Sequence, residues 1–304
     1  MVNLSPADVL KEGSHYDLPI AVGLPISMGV LQKDELDEYA MLDELALDGT
    51  LSPVAGLLPA AIGANAAERG LICPAVTGGE AAWAGAIQIL ASPDLVALIN
   101  HFKGNQALSP PHPGAIADPS PYLDLRDIKG QKNAKRALEV AAGGGHNVLM
   151  VGPPGAGKLM LAQRMAGLLP PMAPKEALEV SMIHSVAGLL DSGQISRRRP
   201  FRDPHHSASL PALVDGGVRA QPGEISLANN GVLFLDELPE FNRPALEALC
   251  QPMETGRAVI ASANSHVDYP ARFQFIAAMN PCRCGHLEDP ALACSRAPLC
   301  GLDY

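Results

Sequence analysis

NVLMVGPPGAGKL, residues 147–159, decides what kind of domain this chain builds. The apolar run Asn147 to Val151 suits a buried strand of a parallel sheet. Gly152, Pro153, Pro154, Gly155, Ala156, Gly157 and Lys158 follow, and a helical pattern runs from Lys158 to Leu168. Strand, glycine-rich turn and helix in that order are the context a Walker A phosphate loop requires. Its glycines let the backbone turn its N–H groups toward a phosphate, and the helix N-terminus adds positive potential. Lys158 would meet the β- and γ-phosphates of ATP as a point charge. The next position, where a Ser or Thr hydroxyl would ligate Mg²⁺, holds Leu159, which has no oxygen. The expectation is a site that binds nucleotide and hydrolyses it slowly.

Two further apolar strands end in polar residues downstream. GVLFLDELPEF, residues 231–241, runs from Val232 to Leu235 into Asp236 and Glu237, 78 residues after Lys158. In a Walker B strand such an Asp orients Mg²⁺ and its waters, and the Glu polarises the attacking water. FQFIAAMNPC, residues 273–282, ends in Asn280, suited to hold that water beside the γ-phosphate. Asp236 is therefore the candidate magnesium ligand, and Glu237 and Asn280 are the candidate catalytic residues.

Working outward, a helix is expected over Gln131 to Ala142, stopped by Gly143–Gly145. Upstream, SPPHPGAIADPSPY (109–122) holds five prolines without helical or strand periodicity and reads as a semi-rigid linker. The resulting division is a front domain over 1–105, a linker over 106–122 and an ATPase domain over 123–304. In the front part, helices are expected at Asp17–Met28, Leu57–Glu68 and Pro93–Phe102, with strands at LDELAL, GTLSPVA and GLICP, an α/β pattern.

The chain has 304 residues, 47% hydrophobic and 18% charged, the balance of a globular protein large enough for two cores. No apolar run is long enough to span a membrane and no secretory signal opens the sequence, so a cytoplasmic location is expected. The net charge of −10 sits in residues 1–120, with 4 Lys/Arg against 14 Asp/Glu. Such a domain is a poor match for nucleic acid by itself. Arg197, Arg198, Arg199 and Arg202 form a basic cluster, read as an exposed loop of solvated charge. His205 and His206 are adjacent and expected to point different ways. Cys73 and Cys250 read as small buried residues. Cys282, Cys284, Cys294 and Cys300 could close a tetrahedral Zn²⁺ site, with His286 as a substitute ligand, or could be reduced thiols in a surface loop.

These motifs, in their order, resemble the YifB/ComM family of magnesium-chelatase-like AAA+ ATPases. The resemblance runs through GQKNAKRALEVAAGGGHNVLMVGPPGAGK, MIHSVAGLL, RPFRDPHHSAS, PGEISLANNGVLFLDELPEF and YPARFQFIAAMNPCRCGHL. It extends to the front half through NLSPADVLKEGSHYDLPIAVGL, ELALDGTLSPVAGLLPAAI and GLICP, so it covers almost the whole chain. It implies a ribosomal-S5-domain-2-like (Lon-like) front domain, followed by a P-loop AAA+ α/β sandwich lacking its C-terminal lid. It also implies assembly as a homo-oligomer, a hexameric ring in the family, and an ATP-driven, helicase-like role on DNA in natural transformation. The rival readings are a metal-insertion chelatase motor and a non-catalytic nucleotide-binding remnant. The chain reads as a piece truncated at both ends, without the segment carrying the family's trans-acting arginine. Apolar surface is then expected where the missing parts would pack. Proteolysis is not expected of the front domain: Leu58 stands where a Lon-type lysine would sit. Ser14 reads as a helix N-cap with Asp17 three residues on.

Overall fold

The computed structural model describes residues 14–117, 121–190, 193–214, 220–262, 265–287 and 294–304. The described chain is α/β throughout, with parallel sheets, and divides into two compact units. The first comprises residues up to Ala117 together with Ser181–Ser196, and the second comprises Asp118–Val180 and Arg197–Tyr304.

The first unit is built on a three-stranded parallel sheet of β1 (Tyr39–Met41), β2 (Gly70–Pro74) and β3 (Ile89–Ser92), with β2 in the centre. The central GLICP is almost wholly buried, which is why it reads as a run of apolar residues rather than an alternation. Three helices pack with it: α1 (Asp17–Ser27), α2 (Leu57–Ala66) and α3 (Leu95–Phe102). Leu18, Val22, Ile72, Leu90 and Leu98 form one core cluster, and Leu57, Ala61, Leu71 and Cys73 form another. Asp94 caps α3 by accepting a hydrogen bond from the Ala97 N–H at 2.7 Å, so the helix starts after the predicted Pro93. Ser14 does not cap α1. It opens a one-turn 3₁₀ segment that shifts the capping position to Tyr16, whose side chain makes no cap bond. Within the proline-rich stretch, Ile116–Ala117 pair in parallel with Ile195–Ser196. Leu58 is fully buried, its N–H bonded to the Glu80 carboxylate at 3.0 Å.

The second unit carries a four-stranded, all-parallel sheet of β4 (Val148–Val151), β5 (Phe201–Arg202), β6 (Val232–Leu235) and β7 (Gln274–Met279). Their spatial order is β4-β7-β6-β5. β6 lies between neighbours on both sides and all four residues are buried, as its unbroken apolar run predicts. β4 departs from that expectation. It is an edge strand among those described; Val148 and Met150 pack on the core, while Leu149 and Val151 are 54% and 57% exposed. Helix α4 (Lys132–Gly144) ends on Gly145 at φ +64°, as the glycine run predicts, and buries Leu138 and Ala141. The helix after the glycine loop, α5, covers only Lys158–Ala162 before a 3₁₀ turn at Met165–Gly167, so it is shorter than the periodicity suggests. Asn242 caps α6 (Arg243–Thr255) through the Ala245 N–H, and Gly256 at φ +69° closes it. No described helix is long and apolar enough to cross a membrane.

The arginine cluster departs in part from the solvated-loop expectation: Arg197 and Arg198 are exposed, whereas Arg199 and Arg202 are partly buried. Arg199, with an 11% exposed side chain, donates to the Pro170 and Asn230 carbonyls and pairs with Glu176 at 3.3 Å. Arg202 grips Glu224 through two bonds of 2.6 Å, Arg197 donates to the Met172 carbonyl, and the Arg198 guanidinium lies 4.8 Å from the Tyr122 ring centroid. Guanidinium forks suit this tying of carbonyls and carboxylates, which spacing alone does not distinguish from a basic patch. Arg199→Ala should lower unfolding stability by about 2–3 kcal/mol, because the carbonyls it bridges lose a charged donor; urea denaturation monitored by circular dichroism checks this. Of the two lone cysteines, Cys73 is buried as expected, and burial, with Asp43 and Glu80 nearby, pushes its thiol up to about 12. Cys250 is exposed, because it falls on the outer side of α6 rather than with Ala245 and Leu249, which are buried.

Candidate nucleotide site

In a parallel sheet the carboxyl ends of neighbouring strands open onto one common edge, and the register sets which residues meet there. Val151 pairs with Met279, and Leu235 with Ala277. The segments following β4, β7 and β6 therefore emerge side by side: the glycine loop, Asn280, and Asp236-Glu237. The Gly152 N–H reaches the Met279 carbonyl at 3.3 Å, tying the loop's first residue to the end of the central strand.

Gly155 and Gly157 have φ of +76° and +82°, a region in which a Cβ is strained. A Cβ built at either would meet no atom within 4 Å. Pro153, Pro154 and Ala156 complete the loop, and the Ala156 N–H bonds back to the Pro153 carbonyl at 3.3 Å. The Lys158 ammonium donates to the Gly152 carbonyl at 2.7 Å, the Pro153 carbonyl at 3.1 Å and Asn280 Oδ1 at 3.0 Å. Two residues 122 positions apart are thus joined at the mouth of the loop. Leu159 is 40% exposed.

Asp236 accepts the Glu237 N–H on Oδ1 at 2.9 Å. Glu237 lies in the left-handed region at φ +52°, unusual for a residue with a Cβ and found where a turn must aim a side chain. Its carboxylate Oε2 meets His206 Nδ1 at 3.2 Å. The two adjacent histidines do not diverge as expected. Their ring centroids are 4.1 Å apart at 35°, because the turn after β5 folds His205 Nδ1 onto Ser207 and lays the His206 ring toward Phe241. His206 is a member of this site that spacing did not reveal; its only sequence signal is that it follows β5, the neighbour of β6. Burial pushes the Tyr304 hydroxyl above the ordinary tyrosine range, helped by Glu240, Glu237 and Asp236 and opposed by Arg283.

Close by in sequence, Cys282, Cys284, Cys294 and Cys300 bring their Sγ atoms within 4.8 Å of one another, with Cys282 buried and Cys282–Cys284 at 3.2 Å. Against desolvation, the Cys282 thiol is held down to about 7 by Cys284 and by the N–H groups of Gly285, His286 and Cys284. Cys284, against the pull of the His286 N–H, is pushed up to about 11 by Cys282 and Cys294.

The chain resembles known proteins over nearly all its length. A family model described as "Magnesium chelatase, subunit ChlI" matches residues 124–304, and one described as "Subunit ChlI of Mg-chelatase" matches residues 1–77. The protein YifB of Escherichia coli is 46% identical over 94% of this chain, and the competence protein ComM of Haemophilus influenzae is also 46% identical over 94%. The chain spans 57% of the length of each. The magnesium-chelatase 38 kDa subunit of Rhodobacter capsulatus is 28% identical over 53% of this chain and 51% of its own. A chain of a magnesium chelatase BchI–BchD complex superposes with a TM-score of 0.43 at 26% identity, over 53% of this chain and 56% of the other.

Proposed function

The chain belongs to the YifB/ComM family of magnesium-chelatase-like AAA+ proteins, and on that premise we propose that its second unit binds ATP in the loop Gly152–Lys158 as part of a DNA-processing motor. The observation that carries the ATP reading is the convergence of Lys158 with the loop carbonyls and Asn280, in a loop turned by two left-handed glycines. Lys158 neutralises phosphate charge, and the loop N–H groups orient it. Glu237 is the group that takes a proton from, or polarises, the attacking water, and Asn280 positions that water. His206 holds the Glu237 carboxylate at 3.2 Å, so its hydrogen bond competes with water for that base.

The residues fit a nucleotide better than they fit its metal. When bound, Mg²⁺ would supply charge neutralisation at the phosphates, and Asp236 is the residue suited to orient it. Leu159 brings no oxygen to that shell. This favours a second reading, a nucleotide-binding module with little turnover.

For the front unit we take the S5-domain-2-like reading, supported by its parallel sheet and by the family match over residues 1–77. The DNA part rests on the relative named as a competence protein, because the arginine cluster is engaged in internal contacts. A ring of like subunits is part of the same reading, and a metal-insertion motor is its rival through the chelatase relatives. Binding to DNA against binding to a tetrapyrrole-carrying partner separates the two.

The deciding experiment is equilibrium binding of a fluorescent ATP analogue with and without Mg²⁺, alongside phosphate release. Wild-type chain should bind, and Lys158→Ala should weaken binding by about 10²-fold through loss of a charged phosphate contact. Equal affinity in the two proteins would sink the site assignment.

A further inference from the structure

Cys282, Cys284, Cys294 and Cys300 lie beyond the three nucleotide motifs, and the nucleotide reading uses none of them. Their sulfurs are all within 4.8 Å of one another, and the first two are 3.2 Å apart. That is too long for a disulfide, which needs about 2.05 Å, and all four are free thiols. Four thiolates around a tetrahedral Zn²⁺, each at about 2.3 Å, would sit about 3.8 Å from one another. The observed spacing brackets that value.

The backbone is shaped to the same end. Gly285 at φ +82° bends the chain after Cys284, and its N–H closes the turn on the Cys282 carbonyl at 2.9 Å. The remaining two ligands come from a separate segment. The short helix Leu299–Leu302 carries Cys300, and a Cβ at Gly301 would lie 2.7 Å from Leu287 and 3.2 Å from the Pro281 carbonyl, so that helix sits directly on the first pair's loop.

The knuckle also touches the phosphate loop. A Cβ at Gly285 would run into Pro154 Cδ and Cγ, so only a glycine lets the cysteine turn lie flat on that proline. Asn280, which holds Lys158, is two residues before Cys282.

We propose that Cys282, Cys284, Cys294 and Cys300 form a tetrathiolate site for a single Zn²⁺-like ion, which clamps the knuckle onto Pro154 and so holds the phosphate loop and Asn280 in place. The clamping half rests on the nucleotide reading; the metal half stands without it. The ion bridges the Cys282–Cys284 turn and the segment carrying Cys294 and Cys300.

The test uses the full chain. Metal content by atomic spectroscopy after purification should be about one zinc per chain. Replacement by Co²⁺ should give the intense visible bands and thiolate charge-transfer absorption of tetrahedral sulfur ligation. Cys294→Ser should abolish the tetrathiolate spectrum, and zinc removal by a chelator should weaken binding of the fluorescent ATP analogue by roughly tenfold. If Cys294→Ser does not fold, the cobalt spectrum of the wild-type chain still decides the metal half. Wild-type protein without tightly held metal, with four thiols reacting freely or pairing as disulfides, overturns the proposal. Metal bound with nucleotide affinity unchanged on its removal overturns the clamp. Neither metal readout involves nucleotide, so failure of the nucleotide site alone would leave them unaffected.

Discussion

Leu159→Thr should raise Mg²⁺-dependent phosphate release on the order of 10²-fold, the scale at which one correctly placed charge-stabilising group acts in a transition state. The argument is local. Leu159 is the second residue of α5, directly after the lysine that meets Asn280, and the position calls for an oxygen toward the metal. It is 40% exposed, so threonine loses little buried area and the fold should tolerate it. Analogue binding without Mg²⁺ should hardly change, since the loop N–H groups and Lys158 are untouched. Phosphate release and binding, measured on both proteins at several Mg²⁺ concentrations, separate the effects. If release stays flat while Mg²⁺ tightens binding in the variant, the deficit lies beyond metal placement. If wild-type chain already turns over briskly, Leu159 is no impediment and the low-turnover reading fails.

Asp43→Asn should remove a large pH dependence of stability. Asp43 is 0% exposed, and among the described residues neither carboxylate oxygen has a hydrogen-bond partner. Burial, with Asp17 adding repulsion, pushes its carboxyl up to about 7. In the unfolded chain the group titrates near 3.9. Between those values the native state holds a proton that the unfolded state has lost, so unfolding free energy falls as pH rises from about 4 to about 7. At roughly 1.4 kcal/mol per unit, the loss is of order 2–4 kcal/mol. Asparagine mimics the neutral form, so the variant should be flat across that window and the more stable of the two at pH 8. Denaturant titrations at pH 5, 6, 7 and 8 check it. Parallel pH profiles for the two proteins would mean that Asp43 is ionised in the fold.

Sequence by itself determined the strands Val232–Leu235 and Gln274–Met279 almost to the residue, the helix before the glycine loop, and the loop. Each is governed by local chemistry: an unbroken apolar run, a glycine stop, a strand–turn–helix order. The candidate residues Lys158, Asp236, Glu237 and Asn280 were legible for the same reason, since each ends a recognisable strand or opens a helix. Family membership was legible too, because long motifs recur in fixed order.

What only the tertiary structure decided is which of these residues meet and what the ambiguous polar groups do. The pairing of Val151 with Met279 brings Lys158 onto Asn280, a contact 122 residues apart that no local pattern encodes. Arg197, Arg199 and Arg202, which spacing reads as solvated charge, tie carbonyls and a carboxylate, because backbone from distant segments arrives around them. His206 reaches Glu237 only because β5 lies beside β6. Asp43 is unremarkable in sequence; its burial beside Asp17 comes from helix packing on the sheet. Hydrophobic periodicity is a short-range signal, whereas hydrogen bonds, ion pairs and desolvation depend on distances that only the completed packing sets.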